Sequence, residues 1–382
     1  MALAAGVRMT AAKPSWNPLR TTGTDLPVNL TILVKVIAMV LLVTNHVRIL
    51  PDPWLPFIPW IDWFPPVVFQ RTLQTVFVVC ALAIVFNRRI RIASLILGST
   101  MLLAVVSSKA YYGNNKTFCA LMLFLAGLYQ PGGPPFLRWQ LAITYFGAGL
   151  NKALDGDWHS GVFFENWAVH RLQQPLYVAL DGMLPPMWLA RFMCWTTIVT
   201  ELATVPCILI PQLNYWAVVA NIFFQSSLLL FTGTTFTLFF YSMTAASLAF
   251  VEWPESPVQV RYDASCTYAA FARRFLQSWD LDGRFAWTAG GRGLEVQAGE
   301  KIHDGFRALR MIVLLNPITY FAIAVSIAAL GDVPGPAALF RRVIVGTCLV
   351  LLMPPLAWLA DTFFRNEKRP ATGLAPTAEP FV

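Results

Sequence analysis

The sequence predicts a polytopic α-helical membrane protein of about eight transmembrane helices, with a small C-terminal α/β module. Three observations carry this. The chain is 57% hydrophobic and only 13% charged, with a mean hydropathy of +0.57, far from the balance of a water-soluble domain. Apolar runs long enough to span a bilayer recur along its first two thirds. One polar interval, 254–316, breaks that pattern and alternates strand-like and helix-like segments.

In chain order, residues 1–28 carry Arg8, Lys13 and Arg20 and no early apolar run, so a cleavable signal peptide is not expected. This segment is expected to be cytoplasmic, and the first span to serve as an uncleaved insertion signal. Spans are predicted at 29–49, 67–87, 90–108, 116–130, 137–153, 187–210, 213–232 and 235–252, so that 29–252 forms the membrane domain. Weaker apolar segments at 313–329 and 342–359 raise the count to ten if they also cross. The segment PDPWLPFIPWIDWFPP (51–66) is too broken by proline to cross, and its tryptophans suit an interfacial or re-entrant lid. The loop 155–186 carries Trp158, His159, Glu165, Trp167 and His170.

Within the polar interval the pattern reads as a strand at 258–262, a helix at 266–279, a strand at 284–288, and a third strand or hairpin leading into a helix. The module and the apolar segments behind it form one region, 257–366, followed by a proline-rich tail, 367–382, expected to be disordered. The densest early basic turn, NRRIR (87–91), places that turn and the N-terminus in the cytoplasm of a bacterial-type inner membrane. Counting onward puts Lys152 outside and the α/β module inside. The net charge of +8 is accounted for by cytoplasmic loops and lipid headgroups, without a nucleic-acid partner. Five of the six cysteines (Cys80, Cys119, Cys194, Cys207 and Cys348) lie in apolar runs and read as packing residues, whereas Cys266 sits in polar sequence.

The chemistry concentrates in YFGAGLNKALDGDW (145–158). Lys152 ends an apolar helix just before an acidic, aromatic loop, and a cation at that depth usually marks a site. Gly147, Ala148 and Gly149 are small enough to let a neighbouring backbone approach beneath it. Glu201, inside the sixth predicted span, needs a partner, and Lys152, Lys116 or a protonated state are the options. His46, near the outer end of the first span, is a further candidate for the same cavity. The plainer alternative is that Lys152 snorkels to the interface and pairs with Asp155 or Asp157. No metal-ligand spacing is present.

The lysine segment resembles the signature of the horizontally transferred transmembrane (HTTM) domain, the membrane module of vitamin K-dependent gamma-carboxylase. YYGNNKTF (111–118), Glu201-Leu202 and ANIFFQSSLLLFTGTTFTLFF (220–240) resemble other parts of it. The resemblance implies a quinol cofactor, menaquinol or vitamin K-like, with Lys152 at the position of the base that deprotonates it. It also implies roles for Lys116, Asn115 and Glu201 in catalysis, and for Asn114, Tyr145, Asp155, Asp157, Trp158 and His46 in ligand binding. Two departures stand out. Lys116 replaces a functional histidine, and Gln225 falls where relatives often carry one. Carboxylation of peptide glutamates is not expected.

VRYDASCTYAAFARRFLQSWDLDGRF, from Val260, resembles the start of the DCC family of thiol-disulfide oxidoreductases, with HDGFRALRMIVLL (303–315) and LADTFFRNEKR (359–369) resembling later parts. This implies a truncated thioredoxin-like module with Asp263 and Cys266 in the redox motif. Ala269 stands in place of the second cysteine, so the ordinary two-cysteine cycle cannot run. Three functional readings follow. The first is a quinol-dependent redox or deprotonation enzyme. The second is a non-catalytic membrane scaffold or export-associated protein with a cytoplasmic or membrane partner. The third is thiol or electron transfer through Cys266.

Overall fold

The computed structural model describes residues 16–48, 63, 65–109, 111–172, 175–232, 237–247, 253–254, 257–265, 267–290, 293–298 and 301–330. Cys266, nearly all of the expected lid at 51–66, the apolar segment 342–359 and the tail lie outside the described residues.

Helix α1 (Val28–Val43) is the axis of the bundle, buried continuously from Leu30 to Leu41. Apart from Asn29, Thr31 and Lys35 it is apolar all round, as a helix without a solvent face requires. Around it pack α2 (Pro66–Val85), α4 (Asn114–Gly127), α11 (Thr237–Ser247) and α14 (Pro317–Leu330). Helix α2 starts with proline in its first turn, where the missing N–H costs nothing. It ends in a turn where Asn87 and Arg89 take left-handed φ values of 59° and 44° before α3 (Ile90–Ser107). Helix α3 pairs with α4, α5 (Phe136–Ala153) with α9 (Trp188–Leu209), and α10 (Asn214–Thr232) with both α9 and α11.

Each of the eight expected intervals contains one of these helices. By length and composition, however, three helices among the described residues are long and apolar enough to cross a membrane: α2, α3 and α9. A fourth joins them if α13 (Gly305–Leu314) and the start of α14, bent by 71°, are taken together. Helices α1, α4 and α11 have 16, 14 and 11 described residues, and α5 carries Arg138, Gln140, Asn151 and Lys152.

The expected loop 155–186 is largely helical: α6 (Gly156–Ser160), α7 (Val162–Glu165), a π-helical turn (Asn166–Arg171) and α8 (Pro175–Asp181). Phe164, Ala168 and Tyr177 bury against Leu189 and Cys194, which folds the segment onto the start of α9. Tyr177 donates to Glu165 Oε2 at 2.6 Å. Burial and that carboxylate push the phenol above its ordinary range and keep it a donor.

The polar interval folds into β1 (Val258–Tyr262), α12 (Thr267–Trp279), β2 (Phe285–Ala289), β3 (Leu294–Ala298), β4 (Lys301–Asp304) and α13. The sheet order is β2-β1-β3-β4. Strands β1 and β2 are parallel, as a helical crossover demands, with Val260 opposite Trp287. Strand β3 pairs antiparallel with β1 and with β4. In β1, Val258, Val260 and Tyr262 face a core with Leu276, Ala308 and Ile312, while Gln259 and Arg261 are exposed. Asp263, just past β1, turns back to accept from the backbone and hydroxyl of Ser265 at 2.8 and 2.6 Å.

The N-terminal segment ties module and bundle together. Asp282, between α12 and β2, accepts from Thr21 N (2.8 and 3.1 Å), Thr21 Oγ1 (2.5 Å) and Thr22 Oγ1 (3.1 Å). From the same segment, Arg20 O accepts from Lys35 Nζ of α1 at 2.7 Å, and Lys35 Nζ also donates to Asn87 Oδ1 at 3.0 Å. Asn87 Nδ2 in turn donates to Asn17 O at 3.0 Å.

Candidate functional site

Lys152 stands in the last turn of α5, where a cation complements the helix dipole. Its ammonium donates to both oxygens of Glu201, at 2.8 and 2.7 Å, and to Ala148 O at 3.3 Å. The Glu201 side chain, from the middle of α9, is 7% exposed and that of Lys152 20% exposed, so the pair is shielded but reachable from the lysine side. The Trp158 ring lies 5.1 Å from the ammonium and stacks on Phe163 with centroids 4.4 Å apart. Close approach of α5 and α9 makes the pair possible. A Cβ on Gly149 would come within 2.8 Å of Leu202 Cδ2 and 3.3 Å of Glu201 Cβ. Gly147, also expected to ease packing, faces open space within 4 Å.

Asp155 caps α6, accepting from Asp157 N at 2.9 Å, and Asp157 is exposed. Glu201 therefore takes the place that the snorkelling alternative gave to these two aspartates. His159 Nε2 donates to Ala153 O (2.7 Å) and its ring stacks on Trp195 at 5.2 Å, while Arg191 donates to Ser160 O at 3.0 Å. The short helices thus hold the rim of the site by contacts to the C-terminal end of α5 and the first turns of α9.

Tyr145, two turns before Lys152, lies within electrostatic reach of Glu201 and is buried. Its hydroxyl donates to Asn221 Oδ1 and accepts from Gln225 Nε2 at 3.3 Å. Asn221 Nδ2 continues to Met243 O at 2.7 Å and to Ser247 Oγ. A buried polar chain therefore runs from α5 through α10 to α11 beside the ion pair.

The other expected site residues gather elsewhere. Lys116 Nζ donates to Tyr111 O at 2.8 Å and lies 4.1 Å from the Tyr111 ring. Tyr111 OH reaches His46 O at 3.4 Å, and His46 Nδ1 meets Thr44 Oγ1 at 2.7 Å. Asn114 Oδ1 accepts from Tyr112 OH at 2.8 Å, and Asn115 Oδ1 from Lys116 N at 2.9 Å. These residues occupy the first turn of α4 and point toward the end of α1. Lys152 and Glu201 are brought together, but no described hydrogen bond links them to the group 114–116. Sequence reasoning passed over Lys35, although its signal was a lysine within VNLTILVKVIAMVLLV.

The family model of the HTTM domain matches residues 135–253, which contain Tyr145, Lys152, Glu201, Asn221 and Gln225 and cover less than half of the chain. No curated protein and no solved structure matches the chain.

Proposed function

We propose that this chain is a multi-pass inner-membrane protein whose HTTM-type region uses Lys152 and Glu201 as a proton-abstracting pair on a quinol-type hydroxyl. The observation that carries the reading is the close, partly open ion pair between α5 and α9, inside the residues matched by the HTTM model. In this scheme the substrate O–H bond breaks, its proton passes to the Glu201 carboxylate, and the oxyanion left behind is held by the Lys152 ammonium. The same end state is reached if Lys152 first yields a proton to Glu201 and then takes the substrate's as a neutral amine. Trp158 supplies an aromatic face for a flat ring, and the low local dielectric strengthens each charge contact. The match to residues 135–253 supports the gamma-carboxylase-like part of the reading, and the quinol is its inferred cofactor.

The wider architecture belongs to the same proposal. All eight bundle helices cross or enter the membrane, with residues 1–28 and the α/β module on the cytoplasmic side. The βαβ unit followed by an antiparallel hairpin and helix supports a truncated thioredoxin-like module.

One observation favours a non-catalytic scaffold: two carboxylate oxygens and a carbonyl already surround the Lys152 ammonium. Lys152→Arg separates the readings, because a guanidinium keeps the ion pair but cannot deprotonate. The test is quinol oxidation or binding in membranes, with the cellular phenotype of a deletion as the second readout. Proton abstraction by the amine predicts an inactive Lys152→Arg at normal protein level and an inactive Glu201→Gln. Abstraction by the carboxylate predicts an active Lys152→Arg and an inactive Glu201→Gln. If both variants are fully active, the pair is structural.

A further inference from the structure

At the end of the bundle that carries the α/β module lies a cavity of about 590 Å³, between α10, α11, α13 and α14. This is within the range of pockets that enclose a small organic ligand. Its walls are mostly apolar, with Val219, Ile222, Phe240, Leu314, Ile323 and Ala324 among them. It runs along α10 from Asn214 to Ser226, a helical rise of about 18 Å.

Polar atoms without partners are concentrated at the module end, with Ser226 Oγ at the other end of the α10 stretch as the exception. Asn214 Oδ1, Thr244 Oγ1, Trp253 Nε1 and Arg310 Nε line the cavity, are buried, and make no hydrogen bond. Asn214 opens α10, Trp253 lies just past α11, and Arg310 belongs to α13, so three chain segments bring these groups to one mouth. Among the described residues no carboxylate pairs with Arg310. Buried polar groups left unmatched cost free energy, and a guanidinium fork is the side chain best suited to a carboxylate or phosphate. Water alone would leave the apolar walls wetted, and a hydrocarbon alone would leave the mouth unsatisfied. A molecule with a long apolar chain and an anionic head satisfies both.

We infer that this cavity binds an anionic amphiphile, its chain lying along α10 and α14 and its oxyanion head on Arg310 beside Trp253 and Asn214. The site is separate from Lys152 and Glu201 and does not depend on the function proposed for them. Two head chemistries fit, the phosphate of an acidic phospholipid and the carboxylate of a free fatty acid.

The test uses the full chain in phosphatidylcholine nanodiscs doped with equal amounts of phosphatidylglycerol and oleate, with retained molecules counted by native mass spectrometry. Wild type should retain one anionic amphiphile per chain in at least tenfold preference over phosphatidylcholine, and which anion is retained identifies the head. Arg310→Gln should lose that preference roughly tenfold. Ala324→Phe, which fills the cavity and leaves Arg310 in place, should lose retention altogether. If Arg310→Gln does not fold, Ala324→Phe and Arg310→Lys decide, the latter expected to retain with reduced preference. Equal retention of zwitterionic and anionic lipid by wild type overturns the inference. So does unchanged anionic retention in folded Ala324→Phe.

Discussion

Lys35 and Lys152 are both set into apolar helices, and the chain accommodates them in opposite ways. Lys35 is completely buried in α1 and is held by neutral groups: the Arg20 carbonyl, the Asn87 amide oxygen and the Phe321 ring at 5.2 Å. Lys152 is partly open, at a helix end, and is held by a carboxylate. The difference teaches what each can do. Lys35 joins the N-terminal segment, α1 and the α2–α3 turn, and with the Asp282 contacts to Thr21 and Thr22 it fixes the module against the bundle. Among the described residues no carboxylate hydrogen-bonds to it, although Asp282 lies within electrostatic reach. Lys152 has such a partner and is partly exposed, so depth in an apolar helix alone does not tell the two lysines apart.

The largest effect expected of any change is at Lys35. Lys35→Met removes the donor and leaves the Arg20 carbonyl and Asn87 amide without it in a buried place. Hydrogen bonds to charged groups contribute about 1.5–3 kcal/mol each, so a loss of about 3 kcal/mol or more is expected. It should appear as a lowered melting temperature in detergent and as faster proteolysis near residue 20. Lys35→Arg should not rescue it, because a bulkier head enters a fully buried site, at a cost of about 1–3 kcal/mol. Stability close to wild type in both variants would break the contrast between the two lysines.

Next in size is the coupling across Lys152 and Glu201. A double-mutant cycle with Lys152→Met and Glu201→Gln should give a coupling of about 1–3 kcal/mol, as residues in direct contact commonly do. Glu201 is the deeper partner, so Lys152→Met alone should cost more than the double variant. Additive single effects would show that the two do not depend on each other in solution. Asp282→Ala comes third: it removes an acceptor shared by Thr21 and Thr22, and about 1–2 kcal/mol is expected, read as earlier release of the module in limited proteolysis.

The contrast also marks what could be read from the sequence. Lys152 and Glu201 were legible because each interrupts an apolar run, and burial in such a run demands a partner. Lys35 carries the same signal but was absorbed into the first span, where hydropathy outweighs one charge. Strand β1 was legible from strict alternation, and its predicted ends coincide with Val258–Tyr262. Placing Asn114, Asn115 and Lys116 with Lys152 required knowing which way the first turn of α4 faces, and the sequence has no periodic signal for that. The short helices between α5 and α9 were hidden because each is too brief to show a period. The bond from Thr21 to Asp282 spans 261 positions and leaves no local trace at all.

The smallest effects separate two glycines one half-turn apart. Both were read as places where a neighbouring helix could approach, but only Gly149 has α9 against it. A Cβ there would stand 2.8 Å from Leu202 Cδ2, the end of a flexible side chain, so the helices can yield slightly rather than separate. Gly149→Ala should therefore cost about 1–2 kcal/mol, typical of a modest overpacking. Gly147→Ala meets nothing within 4 Å and should be neutral or stabilising by about 0.5–1 kcal/mol, because alanine removes the entropy penalty of glycine in a helix. The measurement is melting temperature for both variants, together with whatever activity readout Lys152 supports. Because a Cβ at position 149 would also stand 3.3 Å from Glu201 Cβ, the Gly149 variant should weaken the Lys152–Glu201 coupling, whereas the Gly147 variant should leave that coupling unchanged. Equal behaviour of the two would mean that α5 and α9 are not packed as closely as the ion pair requires.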